Sequence, residues 1–446
     1  MNIKARRVLV LLLFFLFLGF SPYLIFYGLG YKYNFQKNRL EKTGVFFIKS
    51  FPRGAQIYLD GKKQKKETPT QITRLLAKVY EVKIAKDGYR EWRKNLPLEP
   101  QLTTFIEDVS LFYDQLKMEK ILSGSFADLL LSHDQQFLAL TEASPAGQTI
   151  WLYEPASDSL TKVYETAKLS GLKLLEWSFS DKKLLVKDNS NYLVINAETP
   201  GVYFNLQRLS PSLFKEVKFS DSNDNLLYGL GAGKLELLNL LEEKAWVAES
   251  GQILSYLPFN NQLALIKKEN SEYYLKIRQN ETSAILFSLP YSPDYRFLKV
   301  AADRLILFDQ KQRQLYLIDP ADFSQPLKTV LANVDDFQWH DRQILYWNQS
   351  ELWVYYPESD EKILLERNSQ GVKNGFWHPN AAYVYGAVSG ELKLYELDSR
   401  DQRNVYSLLP IFPGQEKLMA TNKKGDYLYL ITSFQEVAGF YKVKIQ

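Results

Sequence analysis

The chain of 446 residues contains no cysteine, and only three methionines and three histidines. Without a thiol there is no disulfide framework, no thiolate metal site and no cysteine nucleophile, and the redox compartment is left open. Imidazole chemistry is confined to His133, His340 and His378. The composition is not that of a disordered chain, since 46% hydrophobic and 24% charged residues suffice for two or three domains with cores of their own. What is abundant is aromatic and β-branched. The 29 Tyr, 27 Phe and 8 Trp favour strands over helices and predict an all-β protein.

The N-terminus departs from that composition. Lys4, Arg6 and Arg7 precede Val8–Leu29, which carries no charge and as a helix covers about 30 Å of hydrocarbon. Pro22 is tolerated in a spanning helix, and Tyr23, Phe26, Tyr27, Tyr31 and Tyr33 crowd its far end as interfacial aromatics do. Residues 1–31 therefore read as a cytoplasmic basic tip and a transmembrane anchor, with the rest outside the cell membrane by the positive-inside bias. A signal peptide cleaved near Gly28-Leu29-Gly30 is the rival reading, disfavoured because the apolar run exceeds a signal core of roughly 7–15 residues.

Charge is uneven along the chain. Residues 1–100 hold 20 Lys+Arg against 7 Asp+Glu, net +13, which leaves 35 against 44, net −9, for the remainder. A basic part just outside a bilayer faces lipid head groups or anionic wall polymer. Nucleic acid is not expected as a partner, because no basic stripe with interleaved aromatics runs into the larger part. Lys62, Lys63, Lys65 and Lys66 flank Gln64 after Asp60-Gly61 and read as a solvated hairpin loop, a possible contact with an anionic surface.

After a linker at 32–42, residues 43–113 predict a small β-sandwich. "GVFFIKSF" and "AQIYLDG" are strand-like runs separated by Pro52-Arg53-Gly54, and Tyr80, Val82 and Ile84 alternate onto one face. A last run, "TFIEDVSLF", is expected to turn Phe105, Val109 and Leu111 inward. This segment resembles the PEGA domain family. Pro52, Gly54 and Ala55 match its Pro-Glu-Gly-Ala turn, Asp60-Gly61 its hairpin, Thr68-Pro69 its Thr-Pro element and Gly88-Tyr89 its late turn, while Arg53 stands where the family has Glu. The resemblance implies a small surface β-domain of bacterial and archaeal envelopes, with no catalytic residues to carry over.

Residues 115–446 are repetitive. Asp134, Asp181, Asp221, Asn261, Asp303, Asp341, Asn380 and Gly425 mark turns about 42 residues apart, each followed by two apolar strands, a period that fits propeller blades. The units resemble those of Tol-type and WD-like β-propellers. Eight units are expected, or seven if the one around Asn261 or Asp303 is an irregular insertion. "MEKILSG", 118–124, precedes the first turn without a unit of its own and is expected to complete the last blade, closing the ring and removing exposed edges.

No residue set in this region spells a reaction. The three histidines share one turn register, which allows a metal cluster on a rim, but the position is polar in every repeat and a merely polar turn is the favoured reading. Trp177, Trp339 and Trp377 precede such turns and are expected to pack between blades rather than to stack sugars. Asp335-Asp336 and Glu242-Glu243 have no spacing that sets two carboxylates across a cleft. Ser132-His133-Asp134 are adjacent in sequence and point different ways on a turn, and no Gly-x-Ser-x-Gly elbow occurs. The sequence thus predicts no catalytic, cofactor or metal site, and a membrane-anchored, non-enzymatic envelope scaffold or binding protein with protein or glycan partners. A carbohydrate-active enzyme or lyase working at the propeller channel mouth is the alternative.

Overall fold

The computed structural model describes residues 3–446 apart from 168–170, 280–281, 291–293 and 302–303; the side chains of 4, 5, 8 and 298–301 lie outside the description as well. Asp303 of the repeat series is thus not among the described residues. The chain divides into two compact units. The first is Met1–Leu116 with Glu396–Val405 and Ile445–Gln446, and the second is Lys117–Tyr395 with Tyr406–Lys444.

The first unit begins with α1, Ile3–Gly28, which contains Pro22. Its stretch Leu9–Gly28 is long and apolar enough to cross a membrane, and none of it is buried against protein. Strands β1 (Tyr31–Asn34) and β2 (Arg39–Phe51) follow, where a linker was expected for 32–42. The reason is a tight turn that the sequence supplies. Asn34 Oδ1 accepts the backbone N–H groups of Gln36 and Lys37 at 3.0 and 3.2 Å, and Asn38 takes a left-handed φ of 47°, so β1 folds back onto β2 in the register Tyr33↔Leu40.

Strand β2 also pairs with β5 (Thr70–Leu76) and, in parallel, with β8 (Thr103–Ser110), while β3 (Gln56–Leu59), β4 (Lys62–Glu67), β6 (Lys78–Ala85) and β7 (Trp92–Leu98) form a second sheet in the order β4-β3-β6-β7. Alternation supplies the core between them. Phe46 and Ile48 meet Ile57, Val82, Ile84, Trp92 and Leu96, all essentially inaccessible. Strand β8 breaks the expected alternation. A register shift lets Ile106 and then Val109 face inward, so Phe105, expected inside, is 54% exposed. The segment 396–405 joins this unit through polar contacts. The Lys94 ammonium, wholly buried, lies 3.2 Å from Glu396 and donates to the carbonyls of Asp398 (2.7 Å) and Gln402 (3.2 Å). The Trp92 indole N–H donates to the other Glu396 oxygen at 2.7 Å.

In the second unit, four-stranded antiparallel sheets follow one another along the chain, at 125–166, 172–205, 216–250, 253–289, 295–331, 336–367 and 372–410. An eighth sheet has only three strands of its own, within 419–444. Its fourth is β9 (Met118–Ser123), which pairs with Val437–Lys444 in the register Phe440↔Leu122. Hydrophobic clusters are shared by consecutive sheets. Leu152 and Val163 pack with Leu184 and Val186, Leu185 and Val194 with Leu227 and Leu238, and Phe126 and Leu140 of the first sheet with Tyr429 and Phe440 of the last. The turn residues behave as the repeat predicts at Asp181, Asn261, Asp341 and Gly425, all with φ between 51° and 73°. In the first and seventh sheets the left-handed position falls one residue later, at Gln135 and Ala381.

Candidate functional site

Lys62, Lys63, Lys65 and Lys66 lie on β4, the edge strand of its sheet, and not in a hairpin loop. All four are exposed, and none has an ion pair among the described residues. A register shift against β3 lies within β4, between the pairs Gln56↔Glu67 and Tyr58↔Lys63. Lysines and a bulge are two of the means by which an edge strand resists pairing with another chain, so the basic run has a structural role on its own strand.

The turn register of the second unit links several of the sheets to the next. Asp181 accepts the backbone N–H groups of His133 and Asp134 at 3.1 and 2.9 Å and the His133 ring Nδ1 at 2.7 Å, and Asp224 accepts the N–H of Ser180 at 2.9 Å. His378 is buried, with Nδ1 2.8 Å from Asn380 Oδ1 and Nε2 3.2 Å from the Gly425 carbonyl, and burial holds its pKa below the ordinary imidazole value. His340 stacks on Trp377 with ring centroids 5.6 Å apart. The three imidazoles thus lie in three separate settings, and among the described residues no group of three His, Asp or Glu is placed to hold a metal. Trp177 and Trp377 are buried and donate to the carbonyls of Leu130 and Gln338 in the preceding sheets, which makes them packing residues. Trp339 is half-buried. Asp335 and Asp336 pair with Arg313 and Lys417, each at 2.6 Å.

A second set of polar residues, unrecognised in the sequence, sits on the first strand of several sheets. Register shifts occur just before Asp128, Glu176, Ser255 and Asn374. Each then reaches the chain leading into or along the first strand of the next sheet. Asp128 accepts from Leu174 N–H (3.2 Å), Glu176 from Phe219 N–H and Ser255 from Phe297 N–H (3.1 Å), and the Asn374 amide donates to the Glu416 carbonyl (2.7 Å). The bulge turns the polar side chain toward its neighbour, and the hydrogen bond satisfies it there. Lys218 makes the longest reach, from the third sheet to the carbonyls of Tyr256 in the fourth and Phe297 in the fifth, both at 3.1 Å, with Glu216 3.2 Å away. Burial pushes the Glu176 carboxyl up to about 7, against the opposing pull of the Phe219 N–H and Lys218; Glu216 adds to the rise. The signal available in sequence was a polar residue in phase with the apolar alternation of a first strand, as Glu176 is with Leu172 and Leu174 in "LKLLEW".

An open cleft of about 280 Å³ lies between the third and fourth sheets, lined by Tyr228, Trp246, Val247, Asn261, Gln262 and Arg278. Trp246 and Val247 are 43% and 57% exposed on the outermost strand, Lys244–Ser250. Arg278 is held at the wall by the Ala248 carbonyl, with Glu249 3.5 Å away.

Comparison with solved structures gives several loose likenesses. Oligogalacturonate lyase of Vibrio parahaemolyticus is 9% identical over 74% of this chain and 94% of its own, with a TM-score of 0.42. The Pan2 WD40 domain of Neurospora crassa is 9% identical over 72% and 89%, at 0.40, and Hsv2 of Kluyveromyces lactis 8% identical over 64% and 98%, at 0.44. Likenesses this loose decide neither fold nor activity. No curated protein matches the chain. The turns at Pro52, Asp60-Gly61, Thr68-Pro69 and Gly88, set in the two sheets described above, do have a counterpart: residues 43–108 match the PEGA domain.

Proposed function

We propose that the protein is a single-pass membrane protein whose PEGA domain and closed eight-bladed β-propeller stand on the extracytoplasmic side and serve as a non-enzymatic binding module of the cell envelope. The observation that carries this reading is the pairing of β9 with Val437–Lys444. It completes the eighth sheet with the strand that precedes the first, and Phe126 and Leu140 pack against Tyr429 and Phe440 across the same junction. A ring joined in this way leaves only short, protected strand edges and offers loops and clefts as its working surfaces. The exposed, apolar α1 supports the anchor, and the PEGA match supports the extracytoplasmic side.

The surface best suited to a partner is the cleft at Trp246. An exposed indole beside amide and guanidinium groups fits a protein loop or a glycan, through stacking and hydrogen bonds together. The test is capture from crosslinked intact cells with the full chain as bait, run beside Trp246→Ala and beside a variant in which the four β4 lysines are glutamine. A specific protein or glycan retained by the parent and lost with Trp246→Ala supports the reading; retention lost only in the lysine variant transfers binding to β4.

Glu176 favours a second reading, a carbohydrate-active enzyme. A carboxyl that burial holds near neutrality keeps a proton to donate, as the general acid of glycan cleavage must. Glycan digestion abolished by Glu176→Gln would replace the scaffold with that enzyme.

A further inference from the structure

We infer that the hairpin of β1 and the start of β2 is a membrane-contacting element that lies in the lipid head-group region beside the end of α1. The inference rests on reading α1 as a membrane span. Its root is fixed to the helix. Arg74, at a left-handed φ of 61°, donates to the carbonyls of Tyr27 (2.9 Å) and Tyr31 (3.2 Å) and lays its guanidinium 3.4 Å over the Tyr27 ring, while Thr43 donates through both its N–H and hydroxyl to Gly30. The guanidinium thereby satisfies a carbonyl at the helix C-terminus, where a cation is favoured, and helix and hairpin are held in one arrangement.

The hairpin carries the helix's apolar surface outward. Tyr31 packs edge-on against Phe26 at 5.6 Å, Tyr33 lies on the same strand face two residues on, and Phe35 packs against Tyr33 at 5.0 Å. Opposite Tyr33 is Leu40. Phe35 is 83% exposed and Leu40 46%, an apolar face left largely open among the described residues. Residues 31–42 include four basic side chains and one acidic, net +3, and Glu41 is already engaged by Asn34, Arg39 and Lys37. An aromatic face rimmed by Lys and Arg, continuous with a bilayer-length apolar helix, fits an interface of acyl chain and anionic phosphate.

The absence of native cysteine permits a direct test on the full chain. Gln36→Cys carries an environment-sensitive fluorophore, Lys63→Cys serves as the comparison site, and each is reconstituted into vesicles of phosphatidylcholine and phosphatidylglycerol. The expected result is a blue-shifted label at position 36, quenched by a nitroxide placed at the ~5–10 Å depth that interfacial segments reach. Adding Phe35→Ser and Leu40→Ser should cut that quenching at least about twofold, by removing the buried apolar area. A label at 36 that is quenched by aqueous iodide and not by lipid nitroxide, in a chain that still floats with the vesicles, overturns the inference. Failure of the parent chain to float, or its release by alkaline carbonate, overturns the anchor reading and the inference with it.

Discussion

Replacing Lys94 with methionine removes one partner of a buried ion pair while keeping most of the side-chain volume. The ammonium is wholly inaccessible and the Glu396 side chain only 4% exposed, with Nζ 3.2 Å from Oε2. Lys94 gives its remaining donors to two backbone carbonyls, and Glu396 accepts from Trp92 at one oxygen and from Asn404 at the other (2.8 Å). Lys94→Met therefore leaves the buried Glu396 carboxylate without its counter-charge and two backbone carbonyls without their donor. Breaking one side of such a pair costs about 3–5 kcal/mol, whereas an exposed pair would register at most about 1 kcal/mol. Glu396→Gln keeps an acceptor for Trp92 but leaves the buried Lys94 ammonium without its counter-charge, so it should cost a similar amount. The double variant should show coupling on the order of 2 kcal/mol. The assay is native-state hydrogen exchange of 396–405 and of the Asn95 N–H, which donates to Asp401 at 2.6 Å. The expected opening penalty corresponds to a rise in exchange of roughly two to nearly four decades. A change below about one decade, or strict additivity in the double variant, would refute the account, because a buried charge cannot lose its partner so cheaply.

Other perturbations report on other parts of the molecule. Glu176 has a folded-state pKa of about 7 against an ordinary 4.5, so the native state binds the extra proton and stability should fall as pH rises from about 4.5 to about 7, by on the order of 3 kcal/mol at most. Glu176→Gln should flatten that slope in melting curves taken at pH 5 and pH 7.5, and an unchanged slope would remove Glu176 as its cause. Gly425 has φ 73°, and an added Cβ meets the buried His378 ring, so Gly425→Ala should cost on the order of 2 kcal/mol or more by chemical denaturation. A neutral effect would mean that the turn at the seventh and eighth sheets rearranges.

Much of this organisation was legible in the residues because it depends on local pattern. The charge-free run at 8–29, the alternation in Tyr80, Val82 and Ile84, and the 42-residue turn spacing each report a periodicity that neighbouring residues share. Even the partner of β9 was readable, because a strand without a unit of its own and a unit short of a strand imply each other. Phe105 was not readable, since the extra residue between Ile106 and Val109 puts it out of phase with Val109 and Leu111, and no residue type announces a bulge in advance. The sequence at 32–42 reads as a linker for a related reason. Its turn depends on Asn34 and Asn38 bonding locally, and its strands are too short to show a period.

The sequence by itself determined the helix, the β-rich composition, the ordered PEGA turns and the repeat, because each is set by contacts within a few residues or by a spacing that recurs. Only the tertiary structure decided where single polar groups go. Glu176, Lys218 and Lys94 look alike in sequence, as charges on strands, yet one reaches the next sheet, one spans three sheets and one is sealed beside Glu396. Their backbone partners lie 38 to 308 residues away, and a buried charge is defined by such partners more than by its neighbours in the chain.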